Sequence, residues 1–458
     1  MKFKTTLILA AVFAVLLVFV LFIEKKPKEA GSGPEEKLVA LTASDVESAT
    51  VKTGTETLSL RKDEKGEWMI AEPVEAKADA SAVDSLISAL ADLRIERVVE
   101  AAGDPKKYDI PQREASLKVK GQTDPVRILF GPENKIDGTL YAQKAGDPRI
   151  VLVPSSLKSQ LDKKTLDFRQ KDVFRFDPKD VAGIKLAAKT VKWEAGKTDG
   201  EWFLTAPFKA LAKESLVTGL LDSLAGLRAK EFAAEAKSPK ELKDLGLAEP
   251  EYTVTLNLPG ASKEIVFALH KAADKTYATT SQSTKIIVPE TDILPDLEKA
   301  PADLREKKVA VFSSWQADRL AFKRGGISLT VHKAANDKWY FDDAEKEEAD
   351  GTKISAFLGK VEGLEASEFV DAPKGPAEYG LDKPAAELTI RTKDTLGEKP
   401  VEKTVTLAVG KVDAEKKQAA IKNARFAWLF RAEAAFLDDL PKEKKDWLAP
   451  APAAPEKK

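Results

Sequence analysis

The sequence predicts an α+β protein with an N-terminal transmembrane helix followed by three tandem homologous α+β domains, each with antiparallel strands and one main amphipathic helix. The first observation is a repeat: Trp68, Trp202 and Trp339 lie in similar strand-like runs, 134 and 137 residues apart. The second is a helical apolar pattern that follows each tryptophan in the same register. The third is an uncharged run over residues 5–23.

The uncharged run, Thr5 to Ile23, would form a helix of about 28 Å, close to the roughly 30 Å hydrocarbon core of a bilayer. Its end is bulky and lacks an Ala-x-Ala pattern, which favours an uncleaved signal anchor over the alternative, a cleaved signal peptide. We therefore expect a single-pass protein of the bacterial inner membrane, with the bulk of the chain periplasmic.

The repeat sets the expected division of the chain. Units of about 135 residues can each bury a core and are longer than the roughly 20–50 residues of a solenoid repeat. The predicted parts are a transmembrane signal anchor at 1–23, a flexible linker at 24–37, repeat domains at 38–174, 175–310 and 311–448, and a disordered Ala/Pro tail at 449–458.

Each unit shows the same order of elements, β-β-β-α-β-β-β-α. An early strand or strand pair precedes the tryptophan strand, and the main helix follows at about 79–92, 213–227 and 350–364. Apolar residues at helical spacing define one face of each helix. These residues are Val83, Leu86, Ile87, Leu90 and Leu93, then Val217, Leu220, Leu221, Leu224 and Leu227, then Ile354, Phe357, Leu358, Val361 and Leu364.

A turn signature follows each helix and ends in Pro111, Pro250 or Pro384. It is clearest in the third unit, where Tyr379 and Gly380 begin Tyr-Gly-Leu-Asp-Lys-Pro. Strands with period-two alternation come next, typical of sheets with one solvated face. Each unit then closes on a short helix.

Composition and motifs exclude several functions. The 73 basic and 74 acidic residues balance, so no charge excess indicates nucleic acid as a partner. There is no cysteine, and the two histidines, His270 and His332, are far apart in the sequence. Phosphate-loop, nucleophile-elbow and zinc motifs are absent. We therefore predict no catalytic, cofactor-binding or metal-binding residue.

Two sets of repeated residues have alternative interpretations. The repeated tryptophans are predicted to be core residues beneath the amphipathic helices, the alternative being a surface that stacks on sugars or a partner. Arg169 and Arg305 recur at the domain junctions. They either hold neighbouring domains through carbonyl or carboxylate contacts or are lone exposed arginines.

The tryptophan strand, the helix and the Tyr379–Pro384 signature resemble the domain of unknown function 4340 family of uncharacterised bacterial proteins. The resemblance implies one N-terminal membrane span, tandem α+β units outside the membrane and no known catalytic residues. Some relatives resemble components encoded beside ABC transporters. The expected function is therefore a non-enzymatic, membrane-anchored envelope scaffold or accessory subunit that binds a protein partner, for example an ABC-type transporter. The alternatives are a polysaccharide or cell-wall binding module and an envelope hydrolase.

Overall fold

The computed structural model describes residues 36–450, apart from residues 55, 173–174, 261–263, 344–345 and 395–400. The chain divides into two compact units. One contains the first repeat, and the other, Asp172–Lys458, contains the second and third repeats.

Each repeat is built on a nine-stranded antiparallel sheet. The strands of the first repeat are β1 Val46–Lys52, β2 Thr57–Lys62, β3 Trp68–Glu72, β4 Ala76–Lys77, β5 Arg97–Glu100, β6 Arg113–Val119, β7 Val126–Glu133, β8 Leu140–Lys144 and β9 Ile150–Val153. Those of the second are β10 Gly183–Ala188, β11 Lys192–Thr198, β12 Glu201–Ala206, β13 Ala210–Leu211, β14 Ala229–Ala234, β15 Tyr252–Asn257, β16 Ile265–Lys271, β17 Thr276–Thr280 and β18 Ile286–Pro289. Those of the third are β19 Ala317–Arg324, β20 Ile327–Lys333, β21 Trp339–Phe341, β22 Glu348–Ala349, β23 Ala366–Val370, β24 Ala386–Asp394, β25 Val401–Val409, β26 Gln418–Asn423 and β27 Leu429–Glu433.

Helices are few and mostly short. They are α1 Ala80–Ala91, α2 Ser156–Leu161, α3 Thr165–Phe168, α4 Glu214–Ala225, α5 Pro239–Asp244, α6 Leu294–Leu297 and α7 Gly351–Glu362. The 3-10 helices are Ala43–Asp45, Pro105–Tyr108, Pro178–Asp180, Ser314–Gln316, Pro376–Tyr379, Ala435–Asp439 and Lys444–Trp447.

Strand order is the same in all three sheets. In the first, the order β4-β3-β2-β1-β6-β7-β8-β9-β5 places the strands before and after the main helix at opposite edges. The main helix must therefore connect one edge of the sheet to the other. Its apolar face is buried in the core cluster of its repeat, as the helical spacing predicts.

The fold class predicted from the sequence is wrong, because the protein is mostly β rather than α+β. The three main helices are present, but each is accompanied by nine strands rather than about six. The missed strands include two-residue edge strands such as β4 and the edge strands that follow the main helices, such as β14, in which Lys230 and Glu231 are adjacent and break the alternation. Short or polar edge strands lack the alternating apolar pattern by which strands are recognised in a sequence.

The predicted transmembrane helix and single-pass inner-membrane localisation are also corrected. Among the described residues of 36–450, no helix is long and apolar enough to cross a membrane. An apolar run of the right length is necessary for a spanning helix but does not by itself establish one. The run at 1–23, most of the 24–37 linker and residues 451–458 of the tail lie outside the described residues.

Candidate interaction site at the joint between the second and third repeats

The end of each repeat is held at the start of its main helix by the same backbone contacts. The amide of Lys213 donates to the carbonyl of Leu304 at 2.7 Å, and Glu306 donates to Leu211 at 2.8 Å. The equivalents of the Lys213–Leu304 bond are donated by the amide of Asp79 to the carbonyl of Phe168 in the first repeat and by that of Asp350 to Trp447 in the third, both at 2.8 Å. The residues that follow, Arg169, Arg305 and Leu448, therefore occupy equivalent positions beside Ala78, Ala212 and Ala349.

Arg305 reaches from the second repeat into the third. Its guanidinium carbon lies 4.5 Å from the ring centre of Phe208, in the second repeat, and 3.7 Å from that of Phe369, in the third. Nη1 and Nη2 donate to the two carboxylate oxygens of Asp371, at 3.0 and 2.6 Å. The residue is 5% exposed. A planar, always charged group that stacks on rings while donating a forked pair of bonds is a use of arginine that lysine cannot reproduce.

The two repeats also share apolar packing. Leu211, in the short edge strand β13, is buried within the core cluster of the third repeat, and Phe203 packs against that cluster. Where the chain enters the third repeat, the buried amide of Asn423 donates to the carbonyl of Val309 at 3.0 Å. The joint, meaning the contacts of Arg305, Leu211 and Asn423 described above, thus combines an ion pair, apolar contact and a buried hydrogen bond.

A second ion pair crosses between the repeats beside the joint. Arg425 donates to the carboxylate of Glu201, and Lys403 Nζ lies 3.8 Å from the other oxygen of that carboxylate. The hydrogen bond from Arg425 lowers the pKa of Glu201. These residues, together with Val311 and Phe426, line a cleft of about 250 Å³. The cleft has both charged and apolar walls.

The repeated tryptophans lie in the core. Trp68, Trp202 and Trp339 are 7%, 2% and 4% exposed, and each belongs to the core cluster of its own repeat. The Nε1 of Trp68 donates to Asp84 on α1 at 3.1 Å, so strand and helix are also linked by a polar contact. Six of the seven tryptophans are buried, and Trp315 is the exposed one, at 65%.

The turn signature is a left-handed turn packed against the end of a strand. Gly380 and Gly246 have positive φ angles of 67° and 72°, and Asp109 takes the same conformation at 51° in the first repeat. Aspartate tolerates this region, which explains how the first repeat departs from glycine. Tyr379 begins the clearest copy, and Pro111, Pro250 and Pro384 each follow the turn within four residues of the left-handed position.

The two histidines lie far from each other in the sequence and in different repeats. His332 Nδ1 lies 2.8 Å from Asp342, whose second oxygen is bonded to Arg319, and His270 lies in the other repeat of the same unit against Gly246. Among the described residues, no group of three or more His, Asp or Glu side chains is arranged to hold a metal ion.

Sequence reasoning selected Arg305 but missed its partners. Asp371, Phe208 and Phe369 are separated from one another by up to 163 positions, and none stands out in a charged, mixed sequence. Only Phe369 could have been selected from the repeat, because Phe232 occupies the corresponding position of β14 in the second repeat. Arg169 is also buried, at 7% exposed, and Leu448 stands in the third repeat where the others have arginine.

Comparisons with known proteins identify a family but not an activity. The model of the family described as "Domain of unknown function (DUF4340)" matches residues 68–233 and 202–384. A search of curated proteins finds no significant match.

Two solved structures from Pseudomonas aeruginosa, a DNA polymerase sliding clamp with ligand and a DNA polymerase III subunit beta, are 8% and 9% identical over 89% and 86% of this chain. They are covered over 96% and 93% of their own lengths, each with a TM-score of 0.15, too low to relate the folds. The matched segments span more than half of the sequence and both of the compact units, and the chain therefore belongs to the family of the domain of unknown function DUF4340.

Proposed function

We propose that this protein is a non-enzymatic scaffold that binds a protein partner. The observation that carries the proposal is the joint, where the ion pair of a buried arginine and the rings on which it stacks hold two repeats together. Arg305 uses its guanidinium on Asp371 and two phenyl rings, and Arg425 uses its own on Glu201.

A rigid arrangement of repeats favours binding over catalysis. Two domains that share a buried arginine clamp and an apolar contact present their outer surfaces in one fixed geometry. Fixed geometry lowers the entropy lost when a large partner surface is bound. Catalysis needs convergent acid, base or nucleophilic groups, and the cleft beside the joint is lined by the Glu201–Arg425 pair and by apolar residues such as Val311.

The polysaccharide-binding alternative receives less support. Such a module needs exposed aromatic platforms, and six of the seven tryptophans are buried. The association with an ABC-type transporter remains a prediction from family resemblance.

The test uses the full-length chain. Chemical crosslinking in the native host, followed by affinity capture and mass spectrometry, should recover a defined protein partner whose crosslinks map to the outer surfaces of the repeats. Hydrolase, transferase and glycosidase panels run on the same purified chain should show no turnover. Turnover that is abolished by a single Asp or Glu substitution would overturn the proposal, and saturable binding on a glycan array would favour the polysaccharide alternative.

A further inference from the structure

The β24–β25 hairpin of the third repeat is longer than the fold requires. In each repeat, one backbone carbonyl near the start of the seventh strand accepts a hydrogen bond from the amide of a residue beside the eighth strand. The carbonyls of Arg127, Val266 and Thr406 accept from the amides of Ala145, Ser281 and Ala424, respectively, at 2.8–2.9 Å. The strands β7 and β16 begin one residue before that carbonyl, but β25 begins five residues before it.

The additional residues, Val401–Val405, are paired on one side only. On one side they pair with β24, in a register that joins Val401 to Asp394 and Val405 to Ile390. On the other side, β26 pairs with β25 only from Leu407 to Val409. No described residue bonds to the main chain of Val401–Val405 on that second side.

The alternation of the strand shows which groups are free. The carbonyl of Thr406 faces β26, and the carbonyl of Lys403 faces β24, where it accepts from the Thr392 hydroxyl at 3.5 Å. Successive residues of a strand point their backbone groups to opposite sides. The N–H and C=O groups of Glu402 and Thr404 therefore face outward, as an open strand edge.

Apolar side chains lie along this edge. Val401 is 53% exposed and lies on the same face of β25 as Val405, which packs partly against the third core. Lys403 and Val405 line the cleft beside the joint together with Val311, which is 44% exposed. The open edge is thus continuous with the cleft between the repeats. Lys403 adds a cation that lies 3.8 Å from Glu201, and its side chain is 64% exposed and so accessible to a second carboxylate.

We propose that Val401–Val405 is a docking edge to which a protein partner adds an extended segment as a further strand, with aliphatic side chains over Val401 and Val311 and a carboxylate near Lys403. This inference rests on the proposed protein-binding function and names the site. Main-chain bonds to an open edge supply affinity in such complexes, and alternate side chains supply specificity.

A second copy of this chain is a poorer occupant. Antiparallel pairing of two such edges about their common centre would place Lys403 directly opposite Lys403, and like charges directly opposite each other destabilise a strand pair. The partner is therefore a different protein that presents an acidic, aliphatic strand.

The experiment places a photoreactive benzoylphenylalanine at Glu402, and separately at Trp315 and Ile136, in the full-length chain in its native host. We expect light to give an adduct at position 402 with a peptide of a different protein. Thr404→Pro removes an N–H that faces away from β24, so the sheet of the protein itself keeps its bonds. It should reduce the adduct at least tenfold, and so should Val401→Asp, which does not alter the main chain. Ile136→Asp makes the same kind of change at an exposed aliphatic residue of the first repeat, which is 90% exposed against 53% for Val401, and this control should leave the adduct unchanged.

Each other outcome overturns the inference. An adduct with another copy of this chain would mean that the edge serves self-association. An adduct at 402 that survives Val401→Asp and Thr404→Pro, or partner adducts at 315 or 136 but not at 402, would reject the edge and leave the scaffold proposal standing. The absence of a partner adduct at all three positions, together with no crosslinked partner in the capture experiment, would reject both.

Discussion

The second and third repeats share every strand pairing of their sheets but differ at three places. The second repeat ends in Arg305, and the third ends in Leu448 at the same position. His270 lies near the end of β16 in the second repeat, and Gly410 occupies the corresponding position, immediately after β25, in the third. The hairpin β15–β16 is short, and β24–β25 is extended.

The comparison separates residues that form the core of every repeat from residues that are specific to one repeat. The shared positions, such as Trp202 and Trp339, fill cores that any copy of the fold must fill. The differing positions lie at the end of the repeat, at the strand end and on a hairpin, where the fold accepts alternatives. Arginine occurs where another repeat follows, and leucine occurs where the third repeat is the last one described.

The largest effect should come from the shared positions. Trp202→Ala and Trp339→Ala should each lower the free energy of unfolding by about 3–5 kcal/mol, because each removes a large ring that is at least 96% buried. Urea denaturation followed by circular dichroism measures both. Trp315→Ala, at the exposed tryptophan, is the control and should cost less than about 0.5 kcal/mol. A loss in Trp202→Ala much smaller than that in Trp339→Ala would show that the two cores are not equivalent.

The next effect concerns the joint. Arg305→Leu introduces the residue that the third repeat has at this position. It should cost about 2–3 kcal/mol, because the charged bonds to Asp371 are lost. Limited proteolysis should then cleave residues 306–316 faster. Arg305→Lys keeps the charge but loses the forked pair of hydrogen bonds, so its loss of stability should be smaller than that of Arg305→Leu. Unchanged cleavage in Arg305→Leu would mean that apolar contact alone holds the repeats.

The strand end of the third repeat, at Gly410, should be sensitive to added volume. A Cβ added at Gly410 would lie 2.0 Å from the carbonyl oxygen of Tyr379, which requires the backbone to shift. Gly410→Ala should therefore cost about 1–3 kcal/mol by overpacking. Gly359→Ala, on an exposed helix position with no atom within 4 Å, is the control and should be neutral or stabilising. Equal melting temperatures for both variants would contradict the packing argument.

The smallest effect should depend on pH. The pKa of Glu201 is lowered by its bond from Arg425, so its folded pKa is below the roughly 4.3 of an unfolded glutamate. The stabilisation is present above pH 4.3 and is lost as the pH falls through the folded value. Because Arg425 is nearly half exposed, we expect less than about 1 kcal/mol. Glu201→Gln should remove the contribution of Glu201 to the change in the free energy of unfolding between pH 7 and pH 3, and leave the contributions of other groups unchanged. Urea denaturation at each pH measures this. A wild-type pH profile in the variant would mean that the pair contributes no stability.

Some features followed directly from the sequence. The three copies, their helices and the core role of Trp68, Trp202 and Trp339 are encoded locally, because a 3.6-residue apolar period and a repeated aromatic need no distant partner to be recognised. The fold class did not follow. Edge strands such as β4 and β14 gain their strand character from the neighbours with which they pair, and their own residues carry little apolar alternation.

The contacts between repeats were decided only by the tertiary structure. Arg305 was visible as a repeated junction residue, but the rings and the carboxylate that make it a clamp come from three distant segments. The open edge of Val401–Val405 exists only because β26 pairs no further than Leu407. The repeat and its cores could thus be recognised before the structure, because the pattern that encodes them is periodic and local. The tertiary structure decided the strand count, the joint and the docking edge, because these depend on which distant residues meet and where a pairing stops.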